Sequence, residues 1–141
     1  LANQEKLRRA SPDRARALLG RSATAEADPN VLIFAARLAG VRRDRRAVRP
    51  LCRLLGHPRP EVRDAVLGAL GEVGDRSAVR PIVDGVDDDD PMELVRVLAV
   101  LARLGGPEAA AYLELIAAGH DNAEVRRIAA NARGRLAQAG R

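Results

Sequence analysis

Asp44-Arg45-Arg46-Ala47-Val48-Arg49-Pro50 returns 31 residues later as Asp75-Arg76-Ser77-Ala78-Val79-Arg80-Pro81, with six of the seven positions identical. A second echo, at 63 residues, pairs Gly56-His57 and Glu61-Val62-Arg63 with Gly119-His120 and Glu124-Val125-Arg126. Periods of this size are typical of units that cannot bury their apolar face alone and therefore stack on their neighbours. The sequence thus predicts a repeat protein with an extended surface, and it leaves open what that surface binds.

Apolar spacing predicts helices along nearly the whole chain, and no segment alternates in the manner of a strand. Val62, Val66 and Leu70 share one helical stripe, and Gly74 follows as a candidate C-cap. We expect helices near 12–20, 29–40, 46–55, 59–73, 77–86, 91–104, 108–118 and 122–137, with a partial helix over 1–10. Short connections between them predict antiparallel helical hairpins.

Helix starts carry their own signals. An acceptor side chain followed by proline is typical of an N-cap and a first helical position, where the missing N–H of proline does no harm. Such pairs occur at Ser11-Pro12, Asp28-Pro29 and Asp90-Pro91. Asp90 and Asp121 each have a glutamate three residues later, which predicts a capping box at both places.

Proline occurs at the same place in two successive first helices, as Pro50 and Pro81. Because proline inside a helix costs about 3 kcal/mol, each of these helices should begin late or bend at that point. The next unit has Tyr112 there, which predicts a straighter helix.

The pattern resembles the HEAT repeat family and is closest to the short HEAT-like repeats of the phycobilin lyase type. The resemblance covers residues 28–137 and rests on the first-helix prolines, on the pairs Val62-Arg63, Val95-Arg96 and Val125-Arg126, and on Leu-Gly endings such as Leu70-Gly71. It implies an all-α fold, a right-handed α-solenoid of about four stacked helical hairpins. We expect one domain over residues 1–141.

Charge is unevenly distributed along the chain. The formal net charge is +5, and residues 1–63 carry +9 against −4 for the remainder. The sequence has no apolar run long enough to span a membrane. Its single cysteine, Cys52, cannot form an internal disulfide and so requires no oxidising compartment. The compartment stays open, with a leaning towards the cytoplasm.

Residues with catalytic or metal-binding chemistry are few. His57 and His120 are two repeats apart, too far to share a metal ion, and are expected to cap helix ends. Cys52 is expected to be a packing residue, and the acidic run from Asp87 to Asp90 a solvated turn that caps the next helix. The sequence therefore predicts no enzyme activity, no cofactor and no metal site.

One arginine near the start of each second helix is the strongest functional signal: Arg63, Arg96 and Arg126. The resemblance implies that second helices line the concave surface, which would place these arginines in a row along a groove. The further residues that could share that face are Asp64, Arg103, Arg127 and Asn131. The alternative is structural, with the arginines bridging repeats through turn carbonyls and acids such as Asp90.

A second basic cluster, the arginine patch, lies on a turn and on the exposed face of a first helix. It comprises Arg42, Arg43, Arg45, Arg46, Arg49 and Arg53. The predicted function is a non-catalytic scaffold that binds a protein partner along the concave groove. The alternatives are nucleic-acid binding through the arginine-rich N-terminal half and a role as an accessory or regulatory subunit of an enzyme. The chain is expected to be a monomer or to associate head to tail through its oppositely charged halves.

Overall fold

The computed structural model describes residues 11–21, 28–87 and 89–139, and every regular element in these ranges is a helix. The all-α solenoid class predicted from the sequence is confirmed. Packing divides the chain into two compact units, one ending at Ala78 and one beginning at Val79. The single domain over 1–141 stays a prediction, and the predicted partial helix over 1–10 lies outside the described residues.

The first unit contains two helical hairpins. Its α-helices are α1 (Pro12–Arg21), α2 (Pro29–Val41), α3 (Val48–Arg53) and α4 (Pro60–Val73). Short 3-10 turns cover Arg45–Ala47, Leu54–Gly56 and Arg76–Ala78. The second unit contains α5 (Val79–Gly85), α6 (Pro91–Leu104), α7 (Pro107–Gly119) and α8 (Ala123–Ala139).

The repeated motif forms the same local structure twice. Asp44 Oδ1 accepts a hydrogen bond from the N–H of Arg46 at 3.1 Å, and Asp75 Oδ1 accepts one from the N–H of Ser77 at 2.9 Å. Each aspartate opens a 3-10 turn, and the α-helix begins only after it. The prolines therefore fall in the first turn of α3 and α5, where no hydrogen bond is lost. The predicted late start is confirmed, and α7 runs without a 3-10 turn around Tyr112.

Helix caps mostly follow the predictions. Asp28 and Asp90 accept hydrogen bonds from the first turns of α2 and α6, and Gly74 ends α4 in the left-handed conformation at φ 77°. The capping prediction for Asp121 is wrong. The side chain of Asn122 caps α8 instead, accepting from the N–H groups of residues 124 and 125 at 2.9 and 3.2 Å.

The interior consists mainly of leucine, valine, alanine and isoleucine side chains, with Tyr112 at its margin. In the first unit α2 packs closely against α4. A Cβ atom at Gly40 would lie 3.1 Å from Ala69 Cα, which is tighter than an ordinary contact, so the two helices leave little room for a side chain at this position of α2. The close approach of the two helices positions the surface considered next.

Candidate partner-binding surface

A groove of about 400 Å³ runs along α2 and α4 in the first unit. We call it the α2/α4 groove. It is lined by Arg37, Glu61, Asp64, Ala65, Gly68, Ala69 and Glu72. Three of its four charged residues are acidic, and two of these, Asp64 and Glu72, lie in the net negative part of the chain after residue 63.

The spacing of residues along α4 explains the groove. Glu61, Asp64, Gly68 and Glu72 recur at intervals of three or four residues and so share one face of the helix. Val62, Val66 and Leu70 lie on another face and are buried. The surface between the acidic side chains is open because Ala65, Gly68 and Ala69 are small. A Cβ atom at Gly68 would meet nothing within 4 Å.

In the second unit an open depression of about 540 Å³ lies on α8. Its polar lining is Arg127, Asn131, Arg135 and Gln138. The Arg127 guanidinium donates hydrogen bonds to Glu124, which lowers the pKa of that carboxyl and raises the pKa of Arg127. This surface is therefore basic and polar, unlike the α2/α4 groove.

Two of the three predicted groove arginines are directed towards turns. Arg63 Nη1 donates to the carbonyl oxygens of His57 and Pro58 at 2.7 and 3.1 Å. Arg126 repeats this arrangement with the carbonyl oxygens of the turn before α8. Both side chains are half-buried. The contacts with turn carbonyls that were considered for them are present, each to the turn that precedes the arginine's own helix.

Arg96 lies two residues further from the start of its helix than Arg63 does. Pro60 and Pro91, which begin α4 and α6, are 31 residues apart, whereas the two arginines are 33 residues apart. The residue of α6 at the same distance from the helix start as Arg63 is Leu94, which is buried. Arg96 itself is exposed, and the row of three arginines stays a prediction.

The hairpins of this chain match a known repeat family. The family model for HEAT repeats matches residues 15–100. The chain belongs to the HEAT repeat family. No curated protein matches it. The matched residues include α1 to α5 and most of α6, so the hairpins that form the α2/α4 groove are HEAT repeats.

The remaining predicted residues lie elsewhere on this HEAT repeat protein. Asp64 lies in the α2/α4 groove, and Arg127 and Asn131 lie in the α8 depression. Arg103 is exposed in the last turn of α6. All six members of the arginine patch are exposed, on α3 and on the turn before it.

Both histidines act within turns, as expected. His57 Nδ1 accepts from the N–H of Arg59, and His120 Nδ1 accepts from the N–H of Asn122, each at 3.1 Å. His57 is only 5% exposed. No group of three histidine, cysteine or acidic side chains within 11–21, 28–87 and 89–139 is arranged to hold a metal ion.

Cys52 and the acidic run from Asp87 to Asp90 have local structural roles. Burial, followed by the nearby charge of Asp75, raises the pKa of the Cys52 thiol, so it stays protonated at neutral pH. Asp87 accepts a hydrogen bond from the N–H of Asp89, and Asp90 caps α6, as a solvated turn would. Asp88 lies outside the described residues. None of the described helices is long and apolar enough to cross a membrane.

The sequence analysis missed two surfaces. One is the acidic character of the α2/α4 groove, which the spacing of Glu61, Asp64 and Glu72 could have indicated. The other is an apolar pocket of about 600 Å³ on α1 and α2, lined by residues that include Leu18, Val31 and Phe34. Phe34 is 47% exposed there. Val31 and Phe34 lie three residues apart on α2, and this second apolar stripe could have indicated the pocket.

Proposed function

We propose that this HEAT repeat protein is a non-catalytic binding module whose second helices bind a partner protein. The observation that carries the proposal is the open α2/α4 groove, with its small-residue floor and charged margins. HEAT repeats generally mediate protein–protein interactions. Small apolar residues would supply burial, while charged residues would set the register and the rate of encounter.

The chemistry of the described residues supports a non-catalytic role. The Nδ1 atoms of His57 and His120 each accept a hydrogen bond within their own turn, and the Cys52 thiol is held protonated. A catalytic nucleophile needs the opposite arrangement, with a lowered pKa or an adjacent base. Binding to another macromolecule is the function that this surface supports best.

The test is capture of proteins from source-cell lysate on the immobilised chain, with and without nuclease. The groove variant combines Glu61→Arg with Glu72→Arg, and its control combines Asp84→Arg with Asp89→Arg, which changes the net charge equally at exposed positions away from the groove. A nuclease-resistant protein that the groove variant loses and the control retains supports the proposal. Retention of every captured protein by the groove variant contradicts it.

The exposure of all six arginines in the arginine patch favours nucleic-acid binding as the second candidate. Neutralised phosphates release counterions, so affinity should fall linearly on logarithmic axes as salt rises. Double-strand binding that does not depend on salt would exclude this candidate.

The closeness to phycobilin lyase repeats, and with it an accessory role in an enzyme, stays a prediction. Visible absorbance of the purified chain mixed with a tetrapyrrole tests it. Absorbance identical to that of the free pigment would contradict it.

A further inference from the structure

We infer that the α2/α4 groove accepts the arginine patch of a second copy of this chain. The inference rests on the proposed function, since it names the occupant of the same groove. The contact would join two different surfaces, so it is heterologous and propagates head to tail.

Charge complementarity carries the inference. The groove presents Glu61, Asp64 and Glu72 beside the single cation Arg37. The arginine patch presents six exposed guanidinium groups on the same unit of the fold. Each copy therefore carries both an acidic concave surface and a dense basic surface, and the two are formed by different elements.

The dimensions of the two surfaces match. Eleven residues separate Glu61 from Glu72 on α4, which corresponds to about 16 Å along a helix axis. Arg46 lies in the 3-10 turn and Arg53 ends α3, so two steps at a rise of about 2.0 Å and five at about 1.5 Å place them about 12 Å apart along the chain. An arginine stripe of that length can lie within the acidic stripe. Arginine side chains are long enough to enter a groove from a helix that stays outside it, and their planar guanidinium suits carboxylate partners.

The floor of the groove supports an open docking surface. Gly68 lies in the interior of α4, where glycine weakens a helix relative to alanine. Packing within the chain does not require it, since a Cβ atom there would meet nothing within 4 Å. A large side chain at this position would fill the groove without disturbing the core.

The dependence of association on ionic strength distinguishes this contact from the repulsion between two positively charged chains. Two copies that each carry +5 repel one another, and this repulsion grows as salt is removed. Only a directed contact between opposite charges strengthens at low salt. Association that increases at low ionic strength therefore has the opposite sign to the net-charge effect.

The experiment is sedimentation velocity of the full chain over a concentration series. It is run at about 0.01 M ionic strength, where the screening length is about 30 Å, and at about 1 M, where it is about 3 Å.

The groove variant is Glu61→Arg with Glu72→Arg. The patch variant is Arg49→Glu with Arg53→Glu. The controls change charge equally at exposed positions elsewhere, namely Asp84→Arg with Asp89→Arg, and Arg80→Glu with Arg103→Glu. Melting curves verify that every variant is folded.

We expect the sedimentation coefficient of the wild-type chain to rise with concentration at low salt and to stay constant at high salt. The groove variant, the patch variant and Gly68→Met should each stay monomeric, while both controls associate. An equimolar mixture of the groove and patch variants should recover association, because each then meets an oppositely charged surface.

A wild-type chain that is monomeric at both ionic strengths overturns the inference, as does association that the groove variant retains or that the mixture fails to recover. These outcomes are distinguishable from failure of the proposed function. If the chain is monomeric but the groove variant still loses a protein captured from lysate, the groove binds a different partner and only the inference fails.

Discussion

Arg63 Nη1 lies 2.7 Å from the carbonyl oxygen of His57, six residues earlier in the chain. The same relationship recurs between Arg126 and His120 at 2.5 Å. Each guanidinium also bonds the next carbonyl of the turn, so one charged side chain satisfies two acceptors that the following helix cannot reach. The Val-Arg pair of these repeats therefore stabilises the hairpin turn.

Arg63→Ala should lower the free energy of unfolding by about 1.5–3 kcal/mol, because it removes charged hydrogen bonds to two turn carbonyls. Urea denaturation measures the change. The comparison variant is Arg135→Ala, at an exposed position on α8, which should change stability by no more than about 0.5 kcal/mol. Equal losses in the two variants would contradict a special role for the turn contact.

Gly40→Ala should destabilise the first unit by about 1–3 kcal/mol, because its Cβ would lie 3.1 Å from Ala69 Cα on α4. Gly68→Ala should instead raise stability by up to about 1 kcal/mol, since its Cβ has open space and alanine favours the helix. Thermal melting of the two variants tests the pair. A loss of stability in Gly68→Ala would contradict the open space found around a Cβ atom at this position.

Asp75 should make stability depend on acidity. Hydrogen bonds from the N–H and hydroxyl of Ser77, and then the charge of Arg45, lower the pKa of its carboxyl, while burial opposes them. A lowered folded pKa means that this stabilisation is present above the ordinary aspartate pKa of about 3.9 and is lost as pH falls through the folded value. Asp75→Asn should therefore flatten the acid limb of a plot of unfolding free energy against pH. An unchanged acid limb would argue against this contribution.

Cys52 should react slowly with thiol reagents. Because burial and Asp75 raise its pKa, little thiolate exists at pH 7–8. The stability linked to this raised pKa is present below the ordinary thiol value of about 8.5 and is lost as pH rises through the folded value. Reaction with Ellman's reagent should be slower for the folded chain than for the chain in urea. Equal rates would show that the thiol is neither buried nor shifted.

Helix positions were predictable to within two residues because their signals are local. Pro12, Pro29 and Pro91 mark starts where no N–H is needed, and Gly74 marks an end that requires positive φ. Local signals do not always identify the cap. They predicted Asp121 as the cap of α8, whereas the side chain of Asn122 caps it in the structure. Both side chains are good caps, and the choice depends on where the preceding turn places the backbone.

The candidate site was predictable only in part. Asp64, Arg127 and Asn131 do line surface depressions, but Arg63 and Arg126 are directed at turns. A long arginine side chain on a helix can turn towards solvent or fold back towards a carbonyl, and helix periodicity does not distinguish these directions. The distance of Arg96 from its helix start required the position of α6 in the structure, because the pairs at 62–63 and 95–96 look equivalent in the sequence.

The sequence by itself determined that this chain is an all-helical repeat protein, and where its hairpins begin and end. Those properties depend on backbone chemistry and apolar periodicity acting over a few residues. Only the tertiary structure decided that the acidic face of α4 forms a groove with α2. The side chains that form it come from α2 and α4, and their proximity depends on the close contact of Gly40 with Ala69, which are distant in sequence.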